Sequence, residues 1–76
     1  MSLRPISARK VIKALSKVGF RVVRRRGSHV VLKHEDGRVT VVPIHAGEKI
    51  GRGLLLKMIK DVKLSKEEFL KLLNEV

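Results

Sequence analysis

The stretch "HVVLKHEDGRVTVVP", residues 29–43, constrains the fold more than any other part of the chain. Two runs rich in β-branched residues flank Asp36-Gly37, and an Asp-Gly step between apolar runs is a strong signal for a two-residue hairpin turn. A type I′ turn there sets Leu32 opposite Val41, Lys33 opposite Thr40 and Val31 opposite Val42. Side chains alternate between the faces of a strand. One face is therefore expected to carry Val30, Leu32, Val39 and Val41. The other is expected to carry His29, Val31, Lys33, Thr40 and Val42. Upstream, "FRVVR" from Phe20 reads as a further strand. A three-residue loop, Arg25-Arg26-Gly27, sets Phe20 beside Leu32 and Val22 beside Val30, with Gly27 as the left-handed residue. Arg21, Val23 and Arg25 then share the face of His29.

Helices flank these strands. Ser7 is a suitable N-cap for a helix from about Ala8 to Val18, with Ile6 and Val11 placed as a hydrophobic staple. Val11, Ile12, Leu15 and Val18 form its apolar stripe, and Gly19 suits its end. After the loop "IHAGEKIGRG", a second helix is expected from about Gly53 to Val62, buried through Leu54, Leu55, Met58, Ile59 and Val62. A third starts at Ser65, where Glu68 completes a capping box. The reading is one α+β domain over residues 1–76, ordered α-β-β-β-α with an extra C-terminal helix. The helices lie on one face of a three-stranded antiparallel sheet, and the face with His29 stays free.

Charge points to the partner. Lys and Arg number 18 against 7 Asp and Glu, a net charge of +11 on 76 residues. That imbalance suits a polyanion, nucleic acid before a membrane surface or an acidic protein. Only Phe20 and Phe69 are aromatic, which argues against domains that stack single-stranded bases on aromatic platforms. There is no cysteine, and the N-terminus "MSLRPISARK" has no apolar core, so a cytoplasmic protein is expected. No apolar run approaches the roughly 20 residues of a membrane helix.

His29 is the residue with chemistry to offer. It is either a strand histidine that tolerates exposure or a group presented among Arg21, Arg25 and Lys33. An imidazole can move a proton near neutral pH. RNA offers a reaction that needs no metal. Its 2′-hydroxyl attacks the adjacent phosphodiester once a base removes its proton, and Lys or Arg stabilises the charge that builds on phosphorus. His45, just past the third strand, could assist as a second proton carrier or only cap the strand. His34, beside the Asp36-Gly37 turn, reads as structural. Three histidines at scattered strand ends match no zinc spacing, so neither a metal nor a cofactor is expected. Lys49 and Arg52 would flank the positive end of the second helix and, with Arg21, Arg25, Arg26 and Lys33, are the expected phosphate contacts. Val23, Val31 and Val42 form an apolar band on the His29 face, as β-formers or as a surface that a partner protein covers.

Four segments carry a resemblance: "LSKVGFRVVRRRGSH", "GSHVVLKH" with Gly27-Ser28-His29, "TVVPIHAG" with Pro43 and His45, and "GRGLLLKMIKDVKLSKEEF". In this order and spacing, over roughly residues 7 to 73, the chain resembles the HicA family of toxin ribonucleases. The resemblance implies a fold like that of double-stranded-RNA-binding domains, and metal-independent cleavage of mRNA that inhibits translation. It implies a HicB-like antitoxin that covers the active histidine, and with it the face of Val23, His29, Val31 and Val42. The family's catalytic histidine maps onto His29. The segment from Pro43 to Gly47 matches a second family signature, but no catalytic role passes to His45 with it. Two other readings stay open: a non-catalytic double-stranded-RNA-binding module, and a basic protein whose main task is to hold an acidic partner.

Overall fold

The computed structural model describes residues 3–45 and 47–76. Its elements are β1 (Ile6–Ser7), α1 (Ala8–Ser16), β2 (Phe20–Arg26), β3 (His29–His34), β4 (Val39–Pro43), β5 (Lys49–Ile50), α2 (Arg52–Val62) and α3 (Lys66–Asn74). The architecture is α+β. An antiparallel sheet ordered β2-β3-β4 is covered on one face by α1 and α2, and α3 packs across those two helices.

Local chemistry explains the helix boundaries. The Ser7 hydroxyl accepts the Lys10 N–H at 3.3 Å, and Val11, Ala14 and Leu15 on the same helix are completely buried. α1 ends at Ser16, two residues short of the expected Val18. Lys17, Val18 and Gly19 continue it as tighter turns, each N–H bonding three residues back. The capping box of α3 is present in full. Ser65 accepts the Glu68 N–H at 3.1 Å, and the Glu68 carboxylate accepts the Ser65 N–H at 3.0 Å. The Ser65 N–H, and after it the Ser65 hydroxyl, hold the Glu68 carboxyl below its usual range.

Both hairpins differ from the expected register. The β3–β4 connection is a three-residue loop, Glu35-Asp36-Gly37, closed by His34 N–H to the Arg38 carbonyl (2.8 Å) and Gly37 N–H to the His34 carbonyl (2.9 Å). Among the loop residues only Gly37 has a positive φ (+101°), whereas a type I′ turn needs one at Asp36 as well. The Asp36 carboxylate instead accepts the Arg38 N–H at 3.1 Å and the Arg38 Nε at 2.9 Å. These bonds from Arg38 hold the Asp36 carboxyl below its usual range. The extra loop residue shifts the register by one. Val30 faces Val42, Val31 faces Val41, and Leu32 faces Thr40. Thr40 and Val42 therefore point into the core, and Val39 and Val41 point outward, the reverse of the expected assignment. Thr40 is buried without penalty because its hydroxyl donates to the Asp61 carboxylate of α2 at 3.1 Å.

The β2–β3 turn has two residues, Gly27-Ser28, with Arg26 opposite His29. Gly27, at φ +58°, takes the first central position, which a type II′ turn gives to glycine. Phe20, Arg21 and Val22 face His34, Lys33 and Leu32. A β-bulge at Val23 then shifts the pairing, so that Arg24 faces Val31 and Arg25 faces Val30. Two expectations fall with this register. Val22 is not core but 52% exposed. Arg25 pairs with a core-facing residue, so it leaves the His29 face. The distal half of β2 is exposed on both sides, beyond the cover of the helices.

The pairing of β1 with β5, Ile6 with Ile50 and Ser7 with Lys49, is an addition to the expected order. It ties the start of α1 to the segment leading into α2.

Candidate functional site

The helix-free face of the sheet is a small lattice. Directly paired residues share a face, which defines three rows: Arg26, His29 and Pro43; Arg24, Val31 and Val41; Arg21, Lys33 and Val39. The β2 column is cationic and the β4 column is apolar. β3 between them carries Lys33, Val31 and His29. His29 is exposed at one corner, with Arg26 immediately across from it. Among the described residues no acidic side chain stands in these rows, so the positive field is not cancelled locally.

β3 has a fixed orientation because Val30 and Leu32 are anchored in the core, at 2% and 0% exposure. Alternation then forces His29, Val31 and Lys33 outward. The bend beside His29 is pinned from the other side as well, since Ile44 N–H donates to the Ser28 carbonyl at 2.6 Å. The imidazole thus projects from a firmly held backbone into solvent among cations, an arrangement suited to proton transfer beside a phosphodiester.

Of the expected site residues, the structure brings together His29, Arg21, Arg26, Lys33, Val23 and Val31. The first four and Val31 are fixed there by direct pairing. Val23, the bulge residue, is 53% exposed and lines a cleft with Arg21 and Lys33. Two residues expected on this face lie elsewhere. Arg25 lies on the opposite side of β2, and Val42 is completely buried opposite Val30. Arg24 and Val41 occupy the places assigned to them. Sequence reasoning missed both residues because each depends on a one-residue shift that leaves no compositional mark.

His45 lies two residues beyond Pro43, the residue opposite His29. It lines a separate small cleft with Glu48, Lys49 and Gly51. Lys49 pairs with Ser7, and Arg52 is the first residue of α2; both are exposed. Among the described residues no side chain caps the start of α2, where Gly51 is the N-cap, and its first turn has no acid. His34 is half-buried and held in place. Its Nδ1 accepts the Asp36 N–H at 3.1 Å, and its ring meets Phe20 edge-on at 5.2 Å. The Arg38 guanidinium covers the Phe20 ring at 5.1 Å. Among the described residues no three His, Asp or Glu side chains gather as a metal site would require, and no helix is long and apolar enough to cross a membrane.

Fold and face together define a class: a small, strongly basic α+β domain that displays a histidine among arginines on a helix-free sheet. A family model described as "HicA toxin of bacterial toxin-antitoxin" matches residues 8–64, from the first residue of α1 to just before α3. The chain belongs to the HicA toxin family. It is thereby the toxin of a toxin–antitoxin pair, with a cognate antitoxin as partner. No curated protein matches the chain.

Proposed function

We propose that the protein is a metal-independent endoribonuclease that cleaves mRNA and so inhibits translation, with His29 as its proton-transfer group. The observation that carries this reading is the placement of His29 on a rigid strand, directly across from Arg26 and beside Arg24, on a face without acids. In the reaction, imidazole removes the proton of a 2′-hydroxyl, and that oxygen attacks the neighbouring phosphorus. The bond from phosphorus to the 5′-oxygen breaks, and the leaving oxygen takes up a proton. The products carry a 2′,3′-cyclic phosphate and a 5′-hydroxyl. Arg24 and Arg26 hold the non-bridging oxygens as their charge rises. Arg21 and Lys33 hold the chain further along, and Lys49 and Arg52 attract it at long range without contacting it.

The same face suits control by an antitoxin of the HicB type. Val31, Val39 and Val41 give it an apolar strip, with Val39 42% and Val41 37% exposed. A partner seated there excludes water from His29 and blocks RNA.

The test is incubation of a long RNA with the protein in EDTA, alongside His29→Ala. The parent is expected to cut, and the variant to lose at least 100-fold in rate while still binding RNA. Equal cutting by both proteins removes His29 from the mechanism. Binding without cutting by either protein favours a non-catalytic RNA-binding module.

A further inference from the structure

Arg21 and Lys33 stand directly opposite each other on the outer face, both exposed. Like charges in direct cross-strand register are unfavourable, and Val39, the third member of their row, offers no relief. The two cations line a cleft together with Phe20, Val23, His34 and Glu35. Among the described residues Glu35 is the only acid in that lining and makes no ion pair, and the two cations outnumber it. The floor is stiff. Phe20 is 1% exposed and is contacted by the His34 ring and the Arg38 guanidinium. Gly19 lies so close that a Cβ there would come within 2.8 Å of the His34 ring nitrogen Nε2. An opposed pair of exposed cations at a cleft backed by this stiff strand end is a receptor for an anion.

The position of the cleft identifies that anion. Lys33 is four residues from His29 on the same face of the same strand, roughly 13 Å away at the rise of a β-strand. Arg26 and Arg24 mark the path between them along β2. We propose that the Arg21–Lys33 cleft is a nucleotide subsite, holding a phosphate of the RNA chain beyond the nucleotides that flank the bond cut at His29. This inference rests on the ribonuclease reading and extends it. The protein requires a substrate that runs along β2 away from His29, and its efficiency depends on substrate length.

The experiment compares kcat/KM on dinucleoside monophosphates and on mixed-sequence hexanucleotides. The parent is expected to gain at least tenfold on lengthening. Arg21→Ala/Lys33→Ala should lose most of that gain, whereas Lys60→Ala/Lys66→Ala, equal in charge but on the helices, should keep it. A double variant at the cleft that retains the full gain overturns the subsite and leaves His29 in place. Cleavage by His29→Ala at the parent rate overturns the catalytic reading instead. Binding of a non-cleavable 2′-O-methyl hexanucleotide reads the cleft without any turnover. Removing two phosphate contacts should make the slope of log affinity against log salt shallower by about 1.4. An unchanged slope also overturns the subsite.

Discussion

Arg24 pairs with Val31 and Arg25 with Val30, so adjacent arginines of one strand serve opposite sides of the sheet. Both are exposed and carry the same charge, which makes them controls for each other. A charge-assisted hydrogen bond to a phosphate contributes about 1.5–3 kcal/mol, and each 1.36 kcal/mol is about a factor of ten in rate. Arg24→Ala is therefore expected to lower kcat/KM for RNA cleavage at least tenfold, and Arg25→Ala to change it less than threefold. Steady-state kinetics on one RNA in the presence of EDTA decide the matter. Equal losses would mean that the RNA senses the charge of β2 as a whole rather than the face selected by the bulge at Val23. His29 itself does not depend on that bulge. Its orientation follows from Val30 and Leu32 alone, and for that reason it could be read directly from "SHVVLKH", whereas the choice of Arg24 over Arg25 could not.

Among the secondary-structure elements, what could be read in advance was what residues close in sequence decide. The Ser7 cap and the reciprocal Ser65–Glu68 box each need only a few residues, and both hold. The turn lengths were harder to read. Asp36-Gly37 is compatible with a two-residue and a three-residue loop, and the Asp36 carboxylate favours the longer one by taking the Arg38 N–H and Nε. β4 misleads because "VTVVP" offers apolar side chains to both faces. The polar Thr40 goes inside only because Asp61 on α2 is there to accept its hydroxyl. The short β1–β5 pair has no periodic signal at all, since two-residue strands are brought together by the rest of the fold. Register can be checked by stability. Val42 is fully buried and Val41 is 37% exposed. Val42→Ala should cost about 2 kcal/mol through lost burial and a cavity, while Val41→Ala should stay within about 0.5 kcal/mol. Urea denaturation of the two variants distinguishes them, and a two-residue Asp36-Gly37 turn would reverse their order.

Across the whole molecule, charge is distributed very unevenly. The first 34 residues contain ten Lys and Arg and no Asp or Glu; the remaining residues contain eight and seven, so +10 of the net +11 lies in the first half of the chain. Those ten residues do not form one surface. Arg21, Arg24, Arg26 and Lys33 occupy the helix-free face of the sheet, whereas Arg9, Lys10 and Lys13 are exposed on α1, which covers the opposite face. A molecule with extents of 32 × 31 × 20 Å is thin enough for both sides to contribute to the long-range attraction of a polyanion. Only one side contacts RNA if the chain is cut at His29. Four phosphate contacts to a single strand predict a slope of log affinity against log salt near −3. Lys10→Ala/Lys13→Ala lowers the net charge by two and is expected to slow association while leaving that slope near −3. Arg24→Ala/Arg26→Ala lowers the net charge equally and should bring the slope to about −1.4. Fluorescence titrations of His29→Ala protein with labelled RNA, from low to moderate salt, measure both. A slope steeper than about −5 in the parent, made shallower equally by either pair of substitutions, would mean that RNA wraps around both sides, and the sheet face would then be one part of a larger binding surface.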